Sequence, residues 1–347
     1  MHVLAARLDS AGDVLLTGPA IRAVAAGADR VTLLCGRRGR VAAALLPGVD
    51  EIVEHTAPWI DPEPEPLDRQ ATLALVDELG RRSFDQAIIF TSFHQSALPL
   101  ALLLRLAGVP TIAAICDDYP GSLLDARHRV HDEIHEVERA LSLAGALGYR
   151  LPTGDHGRLA VARPGGPAPV PSPYVVVHPG ASVPARAWAR ENHAALVDAL
   201  AADGRTVVVT GTPEEAALTA FVARPPRPNV LDLGGRTPFA ELADVLAGAD
   251  ALVAGNTGPA HLAAAVGTPV VSLFAPTVPA ERWRPWGVPV VLLGDQEAAC
   301  AGTRATVCPV PGHPCLNRVT PADVVAALRS LDEQASAWDD RALAVRT

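Results

Sequence analysis

Four short stretches of this sequence combine residue types and spacing suited to chemistry. In Ala251-Leu252-Val253-Ala254-Gly255-Asn256-Thr257-Gly258-Pro259-Ala260-His261-Leu262 an apolar strand runs through a polar turn straight into a helix. Thr257 can cap that helix, Gly258 admits a ligand to the backbone, and Pro259 suits its first turn. The exposed N–H groups and helix dipole would attract an anion, or the turn is an ordinary capped one. His261 on its own is more often a surface or cap histidine than a ligand. In Val177-His178-Pro179-Gly180-Ala181-Ser182-Val183-Pro184-Ala185-Arg186 the same strand-then-glycine pattern recurs. Ser182 and Arg186 can bind phosphate there, unless Arg186 is a plain surface arginine. In Thr210-Gly211-Thr212-Pro213-Glu214-Glu215 a carboxylate just past a strand can take a ribose hydroxyl or serve only the first turn of a helix. In Arg7-Leu8-Asp9-Ser10-Ala11-Gly12-Asp13 a carboxylate at a strand-to-helix turn is a general base or an N-cap. Spacing does not separate Asp13 from Asp9, four residues earlier.

Asp9 with Thr91, Ser92, His94 and Gln95, which follow another apolar strand, are candidate acceptor contacts; His135-Glu136 can also line that pocket. Each has a solvated-surface alternative. Cys300, Cys308, His313 and Cys315 are four potential zinc ligands, but no pair has the two-residue knuckle spacing, so loop or buried thiols are the competing reading.

The elements that position these groups alternate. Strands are expected at Val3–Ala6, Arg30–Cys35, near Ile52, Gln86–Phe90 and Thr111–Ile115. Helices fall between them at Val14–Ala26, Arg40–Leu46, Ala71–Arg82 and Ser96–Ala107, and a helical pattern covers Val130–Ala144. Arg163–Pro173 cannot hold helix or ladder, because its prolines remove donors and fix φ. The alternation restarts at Tyr174–Val177 and continues to a last helix from Pro321. Such alternation predicts α/β halves with parallel sheets, ligands at the carboxyl ends of the strands and a cleft between the halves.

Composition narrows the function. The chain has 347 residues, 49% of them hydrophobic and only 19% charged, which excludes bulk disorder. Its 29 basic and 38 acidic residues give a net charge of −9, which argues against a nucleic-acid partner. Every basic residue is arginine, so a glycine-lysine phosphate loop is excluded. No Asp-x-Asp occurs, a spacing that commonly holds a diphosphate through a metal. No stretch reads as a signal peptide or membrane span, and five cysteines favour reduced thiols, so a cytoplasmic location is expected.

Arg7–Pro19, His178–Trp188 and above all Gly255–Pro269 resemble the bacterial heptosyltransferase family; Phe274-Ala275-Pro276-Thr277 and Trp283-Arg284-Pro285-Trp286-Gly287 fit as well. The likeness covers nearly the whole chain. It implies an α/β GT-B fold of two doubly wound, Rossmann-like domains: an acceptor domain, 1–165; a proline-rich linker, 166–173; a nucleotide-sugar domain, 174–320; and a C-terminal segment, 321–347, able to pack back on the first domain. It implies inverting transfer of a heptose-like sugar from an ADP-linked donor to a glycan, glycolipid or small-molecule acceptor, with no cofactor, no essential metal and peripheral contact with the inner membrane. By the same resemblance Asp13 matches the base. Ser182, Arg186, Thr257 and Gly258 match diphosphate positions, and Glu215 matches a nucleoside-side glutamate; Thr210 and His261 complete the donor set. Asn256 stands where many members carry aspartate. The competing readings are a nucleotide-sugar epimerase or hydrolase of the same fold, and a catalytically silent sugar-nucleotide-binding protein.

Overall fold

The computed structural model describes residues 1–130 and 133–337, with the side chains of 333–337 excepted. It divides into two compact units that meet in sequence between Ala162 and Arg163.

The first unit runs β1 (His2–Arg7), α1 (Ala11–Ala25), β2 (Arg30–Cys35), a 3-10 turn at Arg37–Gly39, α2 (Arg40–Ala43) and β3 (Glu51–Glu54). It continues through α3 (Arg69–Arg81), β4 (Gln86–Ile89), α4 (Leu98–Leu106), β5 (Thr111–Ile115), β6 (Ala126–His128) and α5 (Glu136–Ala146). Its sheet is six-stranded, in the order β3-β2-β1-β4-β5-β6, and every pairing is parallel. Leu4, Ala6, Ile89 and Ala114 share a core with Leu79, Leu100 and Leu104 of α3 and α4. Each fully buried leucine there contributes about 1.5–3 kcal/mol of transfer free energy. The residues of α1 from Val14 to Ile21 are buried, and α1 packs on α5. The Val130–Ala144 helical reading becomes a helix only from Glu136; residues 131 and 132 of that stretch lie outside the described residues. The three-residue strand β6 is too short to leave a periodic signal.

The second unit runs β7 (Tyr174–His178), a 3-10 turn at Pro184–Arg186, α6 (Arg190–Ala202), β8 (Thr206–Val209), a 3-10 turn at Pro213–Glu215, α7 (Ala216–Val222), β9 (Val230–Asp232) and α8 (Phe239–Ala247). Then come β10 (Ala251–Gly255), α9 (Gly258–Ala265), β11 (Val270–Leu273), α10 (Ala280–Trp283), β12 (Val290–Leu293), α11 (Pro314–Asn317) and α12 (Pro321–Ala337). The order β12-β11-β10-β7-β8-β9 repeats the wiring of the first sheet, again all parallel. Covered on both faces, β7 and β10 are buried throughout, as unbroken apolar runs such as Tyr174-Val175-Val176-Val177 require. β12 is an edge strand that the sequence reading missed.

Two expectations change here. Residues 163–173 form neither helix nor strand, yet they are pinned to the second unit. The buried Asp244 carboxylate on α8 accepts from the backbone N–H groups of Gly165 and Gly166 and pairs with Arg163 at 2.9 Å. The apolar face of the last helix belongs to the core of the second unit. Val324, Ala327, Leu328 and Leu331 of α12 sit in the second unit's core, against β10–β12 and beside α6. Residues 338–347 of the expected C-terminal segment lie outside the described residues.

Candidate functional site

In each doubly wound sheet the strand order reverses between two neighbours, β1/β4 in the first unit and β7/β10 in the second. Loops leaving the carboxyl ends of such a pair diverge to opposite faces and leave a crevice for ligands. Most of the polar residues singled out from sequence gather at these two points.

In the first unit β1 ends in Arg7, whose side chain is only 2% exposed. Its Nη2 lies 3.3 Å from Asp9 Oδ2 and 3.3 Å from Asp13 Oδ1, and donates to Ser92 Oγ at 2.7 Å. Ser92 Oγ in turn donates to Asp9 Oδ2 at 3.0 Å, and Gln95 hydrogen-bonds both Asp9 and the Ser92 N–H. Asp9 is therefore spent on its neighbours and 8% exposed, and burial pushes its carboxyl up from the ordinary value despite Arg7. Asp13 retains 18% exposure and accepts from Ser10 Oγ at 2.7 Å. Ser10, not Asp13, holds the N-cap position of α1, so Asp13 is a third-position acid at a positive helix end. The chain comes close enough to do this only because Gly36 has no side chain: a Cβ there would stand 2.3 Å from the Leu8 carbonyl oxygen. Thr91, next to Ser92 in the chain, is buried, while His94 is exposed and packs edge-on against Phe93.

Sequence reasoning passed over two members of this cluster. It did not assign a role to Arg7, although a charge closing an apolar strand is a signal. It treated Glu136 only as a lining residue. Glu136 is 1% exposed, with Oε2 3.6 Å from Arg7 Nη1. His135 starts α5 through a capping box with Glu138, which aims Glu136 inward.

In the second unit β7 delivers His178. Its Nδ1 shares a 3.0 Å hydrogen bond with Thr210 Oγ1, and its Nε2 lies 3.7 Å from Glu215 Oε2. Burial lowers the His178 pKa, opposed by Glu215, so the ring is neutral near pH 7. Thr210 is 1% exposed and turned onto His178, a supporting position and not a surface one. Glu215 Oε2 accepts from the Thr212 N–H at 2.9 Å, closing a capping box. At the end of β10, Asn256 is buried and Thr257 occupies the N-cap of α9 without a side-chain capping bond; its hydroxyl turns back to the Gly255 carbonyl. Arg186, partly buried, lies on the 3-10 turn whose backbone passes 3.2 Å from the Cβ position of Gly255. Ser182 is exposed on the same loop, and His261 is buried within α9.

Cys300 and Cys315 are buried free thiols, and burial with the neighbouring Cys300 pushes Cys315 up to about 11. His313 Nε2 bonds the Ala185 carbonyl at 3.1 Å. Among the described residues, no three His, Cys, Asp or Glu side chains converge as metal ligands, and no helix is long and apolar enough to cross a membrane.

Two six-stranded, doubly wound units with polar loops at both switch points define a GT-B fold. The family model "Glycosyltransferase family 9 (heptosyltransferase)" matches residues 72–312, and the chain belongs to that family. Among curated relatives, it is 36% identical to lipopolysaccharide heptosyltransferase 3 of Escherichia coli over 116 residues, 33% of this chain and 34% of that one. It is 34% identical to lipopolysaccharide heptosyltransferase 1 of Pseudomonas aeruginosa over 199 residues, 53% of this chain and 54% of that one. The matches thus span a third to about half of these relatives' lengths. In fold it is similar to E. coli heptosyltransferase WaaC with ADP-2-deoxy-2-fluoro heptose, with a TM-score of 0.71 at 22% identity, covering 95% of this chain and 99% of that one.

Proposed function

We propose that the chain is an inverting glycosyltransferase that moves a heptose-like sugar from an ADP-linked donor to a hydroxyl of a glycan or glycolipid acceptor, without an essential metal. It would act in the cytoplasm, with peripheral contact to the membrane where its acceptor is lipid-anchored. Family membership and the relatives' names support the reaction class. The observation that carries the assignment of roles is a division of chemistry. The carboxylate cluster with partly exposed Asp13 sits at the first unit's switch point, and the anion-receiving groups sit at the second's.

In this reading Asp13 takes the proton of the acceptor hydroxyl as its oxygen attacks the anomeric carbon. The bond from that carbon to the diphosphate breaks, and its electron pair leaves with ADP. The charge that develops there is met by Arg186, Ser182 and the N–H groups at the start of α9, which Thr257 leaves uncapped. Glu215 takes a ribose hydroxyl, and Asn256 hydrogen-bonds the donor sugar without adding charge. Asp9, Ser92 and Gln95 shape the acceptor side.

The test is release of ADP from ADP-sugars with and without glycan acceptors bearing free hydroxyls, with chelator present and the product's anomeric configuration read by NMR. Acceptor-dependent, chelator-insensitive release with inversion is expected. Turnover without acceptor would instead make the chain an epimerase or hydrolase, and binding without turnover a silent sugar-nucleotide-binding protein.

A further inference from the structure

Glu215, the donor-side carboxylate, has only one of its two oxygens engaged among the described residues. Oε2 accepts from the Thr212 N–H at 2.9 Å and lies 3.7 Å from His178 Nε2. Oε1 has no hydrogen-bond partner there, and the side chain is partly exposed. A capping box needs one oxygen and no more. It gives no reason for the room made around the other: a Cβ on Gly180 would stand 2.0 Å from Oε1. The φ of Gly180 is not in the left-handed region, so space, and not backbone conformation, calls for glycine there.

His178 is fixed from its far side. β7 and β8 pair Val177 with Val209, so His178 and Thr210 leave the sheet side by side, with His178 Nδ1 3.0 Å from Thr210 Oγ1. A lone pair on Nε2 would face the Glu215 carboxylate and repel it. The hydrogen therefore belongs on Nε2, and Thr210 donates to Nδ1. At 3.7 Å the N–H edge and Oε2 attract electrostatically without a hydrogen bond.

We propose that His178, fixed by Thr210, is a positioning residue for donor recognition: it steadies Oε2 of Glu215 and leaves Oε1 to take a ribose hydroxyl of the nucleoside diphosphate. This rests on the assignment of Glu215 to the donor ribose. An arginine in the place of His178 would pair with both carboxylate oxygens and compete with the hydroxyl, whereas a neutral ring does not. Burial, opposed by Glu215, lowers the His178 pKa and keeps the ring neutral near pH 7. His193 of α6, pushed down to about 3 by burial with His178 nearby, adds no charge beside it.

The test is calorimetric titration of the full-length protein with ADP and with 2′,3′-dideoxy-ADP, which lacks the ribose hydroxyls. Glu215→Gln, which keeps the capping box, should weaken ADP about tenfold and leave the dideoxy nucleotide within about twofold. His178→Phe keeps a ring without the N–H and should show the same selectivity, with ADP weakened about three- to tenfold. His178→Gln, whose amide nitrogen reaches the place of Nε2, should restore most of that loss. Thr210→Val frees the ring, should act in the same direction, and serves if His178→Phe does not fold. In the unaltered protein the imidazole nitrogen resonances should place the hydrogen on Nε2. Equal losses for both nucleotides in the His178 and Thr210 variants, or a hydrogen on Nδ1, make His178 a core histidine and overturn the proposal even where Glu215→Gln discriminates. Glu215→Gln binding both nucleotides as the unaltered protein does overturns the ribose assignment and the proposal together. Failure of the unaltered protein to bind ADP overturns the ADP-donor reading itself, and the proposal with it.

Discussion

The Glu215 carboxylate fills the space that a side chain at position 180 would need: a Cβ on Gly180 would stand 2.0 Å from Glu215 Oε1 and 2.3 Å from Oε2. The glycine after β7 therefore lets the carboxylate lie beside the His178 ring while it holds the Thr212 N–H. Gly180→Ala is expected to push the Glu215 carboxylate aside and break that bond, without disturbing the sheet. If Glu215 takes a ribose hydroxyl, ADP affinity should fall about tenfold, equivalent to about 1.4 kcal/mol. Calorimetric titration with ADP, beside a thermal melt, checks this. Unchanged affinity would leave Glu215 as a helix cap and nothing more.

His193 is buried, packs edge-on against Trp188 at 4.8 Å, and has an Nδ1 without a hydrogen-bond partner. Burial, with His178 nearby, pushes its pKa down to about 3. A histidine held neutral by the fold binds its proton more readily in the unfolded chain. Its contribution is complete above the unfolded value of about 6.5 and is lost as pH falls toward the folded value, at up to about 1.4 kcal/mol per pH unit. His193→Phe keeps the edge-on packing and removes the proton site. Acid unfolding followed by circular dichroism should shift to lower pH in this variant, while stability at pH 8 changes by less than about 1.5 kcal/mol. An unchanged acid transition would place the sensitivity elsewhere.

The strands that carry the site were legible because they are buried on both faces and so read as unbroken apolar runs, β7 and β10 most clearly. The turns after them were legible through glycine and proline. What sequence could not show was which polar group meets which. Arg7 and Glu136 lie on elements far apart in the chain and meet only because β1 and α5 belong to one unit. Thr210 turns inward because the buried His178 ring needs a partner, a choice made by packing and not by spacing. The last helix, amphipathic by sequence, had two sheets on which it could lie, and periodicity does not name the sheet.

Arg186 is assigned to the leaving diphosphate, and the chain has no lysine to replace it. Arg186→Ala should weaken ADP binding and slow transfer, a loss of about 2–4 kcal/mol of transition-state stabilisation. Arg186→Lys should recover only part, since an ammonium lacks the planar fork. Steady-state kinetics with ADP inhibition constants measure both. Full retention of rate and affinity in Arg186→Ala would make it a surface arginine.

Asp13 and Asp9 could not be separated by spacing, but their surroundings differ. Asp9 is closed in by Arg7, Ser92 and Gln95, so its lone pairs are engaged. Asp13 shares Arg7 but keeps a partly exposed carboxylate, steadied by Ser10 at 2.7 Å. A base must reach its proton within hydrogen-bond distance, and only the exposed carboxylate can do so without dismantling the cluster. Asp13→Asn retains shape and the Ser10 contact but cannot take a proton. Turnover should fall about 10²–10⁴-fold, with ADP affinity nearly unchanged, because the donor contacts are assigned to the other unit. Asp9→Asn should act mainly on stability: it leaves buried Arg7 short of one carboxylate, so the melting temperature should drop while the folded fraction keeps substantial turnover. Rates per folded molecule at saturating donor, measured alongside thermal melts, distinguish the two. Near-normal turnover in Asp13→Asn with a collapse in Asp9→Asn would transfer the role of base to Asp9.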